Sequence, residues 1–296
     1  MPQPLQAYCP ILEKTVAVEP TNYSRGPWQV VRCCETGLVF LANPPDYEQL
    51  ETEFAWEKTH AAEHQRRVRE EPLLASVSSF YKWLKVKLRP HRCKVFELTR
   101  CALQNAPMKQ QLAVVDIGCG WGNLMESLHQ RFAALGQQIA PCGIEVSKEL
   151  AELAGERLQR LGGRVIQANA VDGAGQLTPG SIDIAIMRSF LEHERRPLTL
   201  LKMLRPALAA GGSVIIKVPN FNSLNRRLRG RRWCGFRYPD HVQYFTPRTL
   251  KLLAEQAGYT IARQSLWDKP PLSDNMYAIL QPTNVVAAED SIRAAA

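Results

Sequence analysis

Between residues 110 and 220 the apolar positions switch repeatedly between two periods. Leu112, Ala113, Val114, Val115 and Ile117, broken only by Asp116, predict a short buried strand. Past Gly118, Gly120 and Gly122 the spacing turns helical, at Leu124, Leu128, Phe132 and Leu135. A second apolar strand over 139–145 ends at Glu145. Ser147 then supplies an N-cap for a helix over 148–161, which Gly162 and Gly163 end. Residues 164–170 read as a third strand closing on Asn169 and Ala170. A turn at 178–181 leads to a fourth strand over 182–190, a helix over 197–209 and a fifth strand over 213–220. Strands alternating with helices in this way predict an α/β fold, a parallel sheet covered on both faces with right-handed crossovers.

A strand that ends in a glycine turn and opens a helix turns backbone N–H groups outward, with no Cβ to hold a ligand away. The spacing here is G-x-G-x-G. The dinucleotide fingerprint G-x-G-x-x-G would need a glycine where Asn123 stands, so the loop speaks against a pyrophosphate and hence against a nicotinamide oxidoreductase. An acidic residue at the tip of the second strand, Glu145, can accept from both ribose hydroxyls of a nucleoside. The ligand then belongs at the carboxyl ends of the first, second and fourth strands, beside the topological switch point.

The run DIGCGWG, residues 116–122, resembles the first motif of class I S-adenosylmethionine-dependent methyltransferases. Residues 191–212 and 220–264 are similar to a bacterial family related to ubiquinone-pathway and sugar methyltransferases. There an E-H pair, an L-x-P-G-G-like turn, a P-N strand end and an H-x-x-x-F-T segment follow in this order. The resemblance covers 112 to about 280 and departs at Ala209-Ala210, where a proline usually precedes the glycines. It implies a Rossmann-like seven-stranded, mostly parallel sheet, with an antiparallel edge hairpin from 259–267 and 275–281. It also implies S-adenosylmethionine as cofactor, held by Asp116, Gly118, Cys119, Gly120, Gly122, Glu145, Asn169, Ala170 and Arg188, with Asn169 or Asp172 against the adenine amino group. Residues 220–245 become a lid over the acceptor pocket.

Ahead of that domain, residues 1–72 resemble a degenerate zinc ribbon. Leu12 and Thr36 stand where second cysteines belong, so Cys9, Cys33 and Cys34 give at most three of the four ligands structural zinc takes, and no metal is expected. Asn43-Pro44-Pro45-Asp46 is read as a turn, since the aromatic fourth residue of the nucleic-acid amino-methyltransferase motif is missing. Residues 73–104 read as helical with an interruption at Pro90, the methyltransferase domain as 73–283, and 284–296 as a mobile tail.

Charge adds a question about the acceptor. The chain of 296 residues has a net charge of +9, concentrated in Arg226, Arg227, Arg229, Arg231, Arg232 and Arg237 and in a second stretch from Lys82 to Lys94. Trp233, Phe236, Tyr238, Tyr244 and Phe245 interleave the arginines, suiting either an apolar pocket wall or stacking on single-stranded bases. The favoured reading is methyl transfer to a small anionic or sugar-like acceptor. The alternatives are an RNA methyltransferase and a catalytically silent cofactor-binding protein. His193, after the fourth strand, and His241, in the aromatic segment, are the candidates for a general base. No apolar run approaches a membrane span, the opening residues lack a secretory signal, and the cysteines show no disulfide spacing, which points to the cytoplasm. Oligomeric state is left open.

Overall fold

A computed structural model describes residues 5–47, 49, 87, 93–105, 109–270 and 273–283. The expected boundary at 72, most of the 73–104 helical stretch, the second basic stretch apart from Lys87 and Lys94, and the 284–296 tail lie outside the described residues.

The chain opens with an antiparallel meander of β1 (Gln6–Cys9), β2 (Lys14–Pro20), β3 (Val30–Cys33) and β4 (Val39–Leu41). In β2, Val16 and Val18 are buried, Ala17 between them is half-buried and the flanking residues are exposed, the period-two pattern of a sheet with one face packed. Helix α1 (Lys94–Ala102) then leads into β5 (Gln111–Ile117), α2 (Asn123–Ala133), β6 (Gln138–Glu145), α3 (Lys148–Gln159), β7 (Arg164–Gln167), α4 (Ala170–Gly175), β8 (Ile182–Arg188), α5 (Pro197–Leu204) and β9 (Leu208–Pro219). After α6 (Leu224–Arg229) and β10 (Gln243–Tyr244) come α7 (Pro247–Gln256), β11 (Tyr259–Arg263) and β12 (Asn275–Pro282).

Seven strands form the main sheet in the order β11-β12-β9-β8-β5-β6-β7. Those from β9 to β7 run parallel, while β12 is antiparallel to both β9 and β11, giving the Rossmann-like sheet with its edge hairpin. Strand order reverses between β5 and β8. Ile182 to Met187 are all buried, as a central strand covered on both faces requires.

Three local expectations change. Where only a turn was expected after the third strand, Asn169 caps a short helix, its side chain accepting from the Asp172 N–H. Helix α5 stops at Leu204 because Pro206 cannot continue it, and β9 therefore begins at Leu208 instead of 213. Strand β11 ends at Arg263 because Ser265 and Asp268 cap each other in a tight turn.

The N-terminal sheet does not hang beside the main one. Gln243 and Tyr244 of β10 pair with Phe40 and Val39 of β4, so a strand of the later chain completes the meander. Cys9, Ile11, Val16, Val18, Val31, Leu38 and Phe40 share one apolar cluster with Leu198, Leu201, Phe245 and Leu250. Among the described residues no helix is long and apolar enough to cross a membrane.

Candidate functional site

Gly118 takes φ +71°, and a Cβ there would lie 2.2 Å from the Phe190 ring, so only glycine fits between the loop and that ring. The N–H groups of Gly118 and Cys119 donate to the Ile144 carbonyl at 2.8 and 3.2 Å. Glu145 pins the rest of the loop: Oε2 accepts from the Gly120 N–H at 2.9 Å and Oε1 from the Ser147 N–H at 3.1 Å. At Gly120 an added Cβ would meet nothing within 4 Å, so this face of the loop stands open. Gly122 has another task. Its φ is +75° and its Cβ would sit 3.3 Å from Leu158 Cδ1, so it lets the start of α2 pack against α3. It does not line the cavity.

That cavity, of about 520 Å³, opens at the carboxyl ends of the parallel strands. Gly118, Cys119, Gly120, Glu145, Asn169, Ala170, Arg188 and His193, all singled out from the sequence, line it. Asn169 also serves as the α4 cap, and its amide donates to Asp172 Oδ2 at 2.7 Å, which ties the adenine candidates to each other. Asp116 is buried at the end of β5, off the cavity surface. Burial pushes its carboxyl up to about 7, the Glu145 carboxylate pushes the same way, and Arg188 opposes both.

Several lining residues carried no signal in the sequence. Phe190 covers the glycine loop. Ser189 holds a left-handed φ of +57°, uncommon for a residue with a side chain, and its hydroxyl accepts from Lys217 Nζ at 2.8 Å. Tyr47 comes from the N-terminal segment, donates its hydroxyl to Glu194, and lies with its ring centroid 5.7 and 5.6 Å from the Arg195 and Arg196 guanidinium carbons. A strand-end lysine is legible in principle as a cation beside the switch point. Nothing local marks Tyr47.

The two histidine candidates come together, their rings 4.7 Å apart and nearly perpendicular. Only His193 lines the cavity; His241 is buried behind it. His193 Nδ1 bonds the Asp240 carbonyl at 2.9 Å and His241 Nδ1 the Gly235 carbonyl at 2.7 Å. A carbonyl can only accept, so each neutral ring carries its proton on Nδ1 and keeps Nε2 as the basic nitrogen. Burial lowers the His193 pKa, as does Arg237, while buried Glu192 raises it. Burial also raises the Glu192 pKa. Glu192, His193 and His241 offer donor atoms within 4.8 Å of one another, a set that could hold a divalent cation.

The segment 220–245 departs from its expected form. Trp233, Phe236, Tyr244 and Phe245 are buried and Tyr238 half-buried. Trp233, Phe236 and Tyr244 pack with Val30, Val39 and Leu41 of the N-terminal sheet. They are core, and they form neither a pocket wall nor a stacking platform. Asp240, salt-bridged to Arg237 at 2.8 Å, is the residue of this segment that lines the cavity. Asn43 braces a turn, donating to the Pro27 carbonyl at 2.8 Å and accepting from the Gln29 N–H at 2.9 Å.

Two turns of the N-terminal sheet face each other. Cys9 Sγ lies 3.9 Å from Thr36 Oγ1, and the Thr36 N–H donates to Cys33 Sγ at 3.3 Å. Cys34 is exposed, and none of the eight cysteines is in a disulfide.

Residues 89–264 match the family described as "Methyltransferase domain". The ubiquinone biosynthesis O-methyltransferase of Aeromonas salmonicida is 30% identical over 171 residues, covering 54% of this chain and 68% of that protein. Its namesake from Cupriavidus pinatubonensis is 27% identical over 184 residues, covering 58% and 69%. Among solved structures, the plantazolicin methyltransferase BamL, in complex with a triazolic desmethylPZN analog and SAH, superposes with a TM-score of 0.51 at 16% identity. That match covers 79% of this chain and all of BamL, and it bears on the fold alone.

Proposed function

The chain belongs to the methyltransferase domain family, and from that premise we propose that it moves a methyl group from S-adenosylmethionine to a hydroxyl of a small, anionic or sugar-like acceptor. The observation that carries this reading is the convergence of the open glycine loop, Glu145 and His193 on one cavity at the switch point. The donor set fits the cofactor: Asn123 stands where a pyrophosphate loop needs its third glycine, and the Glu145 carboxyl group in the cavity lining suits a cationic nucleoside.

When bound, S-adenosylmethionine supplies an electrophilic methyl on a sulfonium, displaced in line as a neutral thioether departs. The protein then needs mainly to align the acceptor and exclude water. Phe190 and the glycine loop close one wall. Arg188 and Lys217 bring positive charge to the cavity, which favours an anionic acceptor. His193 Nε2 takes the proton of the attacking hydroxyl, and the lowered pKa keeps that nitrogen unprotonated further into the acid range. The choice of oxygen as the methylated atom follows the relatives, which are O-methyltransferases. The RNA alternative is weakened because the aromatics between the arginines are buried.

Calorimetric titration tests the cofactor assignment, with NAD as the control ligand. The parent should bind S-adenosylmethionine and ignore NAD, and Glu145→Ala should lose roughly 1.5–3 kcal/mol per charged hydrogen bond removed. His193→Gln should keep cofactor affinity and lose about 10²–10⁴-fold in single-turnover transfer to a small-molecule extract. Unchanged affinity in Glu145→Ala would remove the ribose role; unchanged transfer in His193→Gln would remove the base.

A further inference from the structure

Two turns at the cavity end of the main sheet display large apolar side chains to water. Strand β9 runs parallel to β8, and its end at Pro219 pairs with Asn275 at the start of β12. Helix α6, just after β9, and the turn before β12 therefore share the sheet end that carries the cavity. Asp274, the residue before β12, ties the start of that strand to α6 and Trp233. Its carbonyl accepts from the Asn220 N–H at 2.7 Å, and its carboxylate accepts from Asn225 Nδ2 at 2.8 Å and Trp233 Nε1 at 2.6 Å.

On α6, Leu224 and Leu228 lie one turn apart on the same face, 42% and 77% exposed. On the second turn Leu266 is 76% and Trp267 82% exposed. This turn is built firmly. Asp268, fully buried, accepts from the Ser265 N–H at 2.9 Å and Arg263 Nε at 3.1 Å and pairs with Lys94 Nζ at 2.8 Å. A braced turn that holds a leucine and a tryptophan in water gains nothing in the isolated chain.

Charge identifies what would cover them. From Asn220 to Pro239 the sequence holds six arginines and no acidic residue, and Arg227, Arg231 and Arg232 are exposed beside Leu228. Leucine and tryptophan side chains flanked by arginines match the boundary between phosphate headgroups and acyl chains of an anionic bilayer. A nucleic acid would use the arginines but leave the leucines idle. We propose that this rim docks on an anionic membrane surface, with Leu224, Leu228, Leu266 and Trp267 entering the interface and Arg227, Arg231 and Arg232 meeting lipid phosphates. The proposal goes beyond methyl transfer and does not rest on it.

The test is flotation of the full chain with vesicles of phosphatidylcholine alone or mixed with phosphatidylglycerol. Binding should require phosphatidylglycerol and weaken with salt. Replacing Arg227, Arg231 and Arg232 by serine should cut partitioning about fivefold per arginine. Leu228→Ser and Trp267→Ser should each cut it roughly tenfold. Vesicles should shift tryptophan emission to the blue in the parent and far less in Trp267→Phe. Far-UV circular dichroism and S-adenosylmethionine binding should match the parent in every variant, so that loss of fold is recognised. Failure to bind phosphatidylglycerol vesicles, or parent-like partitioning of the leucine and tryptophan variants, would overturn the proposal. So would tight binding to single-stranded RNA that the apolar variants leave intact, which would make the rim a nucleic-acid surface.

Discussion

Glu145, Gly118 and His193 were legible because each sits where a local pattern changes: a strand ends, a turn demands positive φ, or a helix is about to begin. Glu145 nevertheless does more than the pattern implied, since its two oxygens hold the Gly120 and Ser147 N–H groups and so shape the loop itself. Tyr47 and Phe190 were illegible because their place at the cavity depends on packing between distant segments. Asp116 carries a consequence for stability. Its carboxyl is raised from 3.8 to about 7 in the folded chain, so between those values the native state holds a proton that the unfolded state has released. The stabilising contribution is complete below 3.8 and is lost as pH rises toward 7. Asp116→Asn cannot ionise and lacks that loss. Urea midpoints at pH 5 and pH 8 should show the variant gaining on the parent at the higher pH. A constant difference between them would mean that Asp116 is not held protonated.

Apolar periodicity located β5, β6 and β8 closely because buried parallel strands read as short unbroken runs. It misjudged the 226–245 segment for a physical reason: arginines between aromatics look alike whether the rings face a ligand, a base or a core. The partner that decides, β4, lies some two hundred residues earlier, and pairing between β4 and β10 leaves no trace in either segment alone. At the other end of the meander, the turns carrying Cys9 and Cys33 bring Thr36 within 3.9 Å of the Cys9 sulfur and direct the Thr36 N–H at Cys33. Two ligands of a tetrahedral site are thus in place, and two are missing. The parent should carry no stoichiometric zinc. The double variant Leu12→Cys, Thr36→Cys should bind one zinc per chain by elemental analysis and melt higher with the metal than after chelation. A zinc-free double variant would show that the turns are not spaced for a metal.

At the scale of the molecule, the sequence suggested a small appendage ahead of a methyltransferase domain, whereas the described residues share one apolar cluster across both. Three kinds of contact join them. Strand β10 completes the N-terminal sheet. Glu13 accepts from the Thr199 hydroxyl and meets Lys202 Nζ at 3.5 Å, both on α5. Tyr47 reaches Glu194 beside the cavity. Burial on this scale makes separate unfolding of the N-terminal sheet costly, because it would strip cover from Phe245 and Leu250 and leave β10 as an unpaired edge. The chain should therefore unfold in a single transition, with near-UV and far-UV circular dichroism coinciding along a urea series. Phe40 is 2% exposed and lies in the shared cluster, on the strand that pairs with β10. Phe40→Ala should cost about 3–5 kcal/mol and move the whole transition, including the part reported by S-adenosylmethionine binding. If the two signals separate, or if Phe40→Ala melts the N-terminal sheet while cofactor affinity and the main transition stay put, the sheet is an independent module and Tyr47 can no longer be counted as a fixed wall of the cavity.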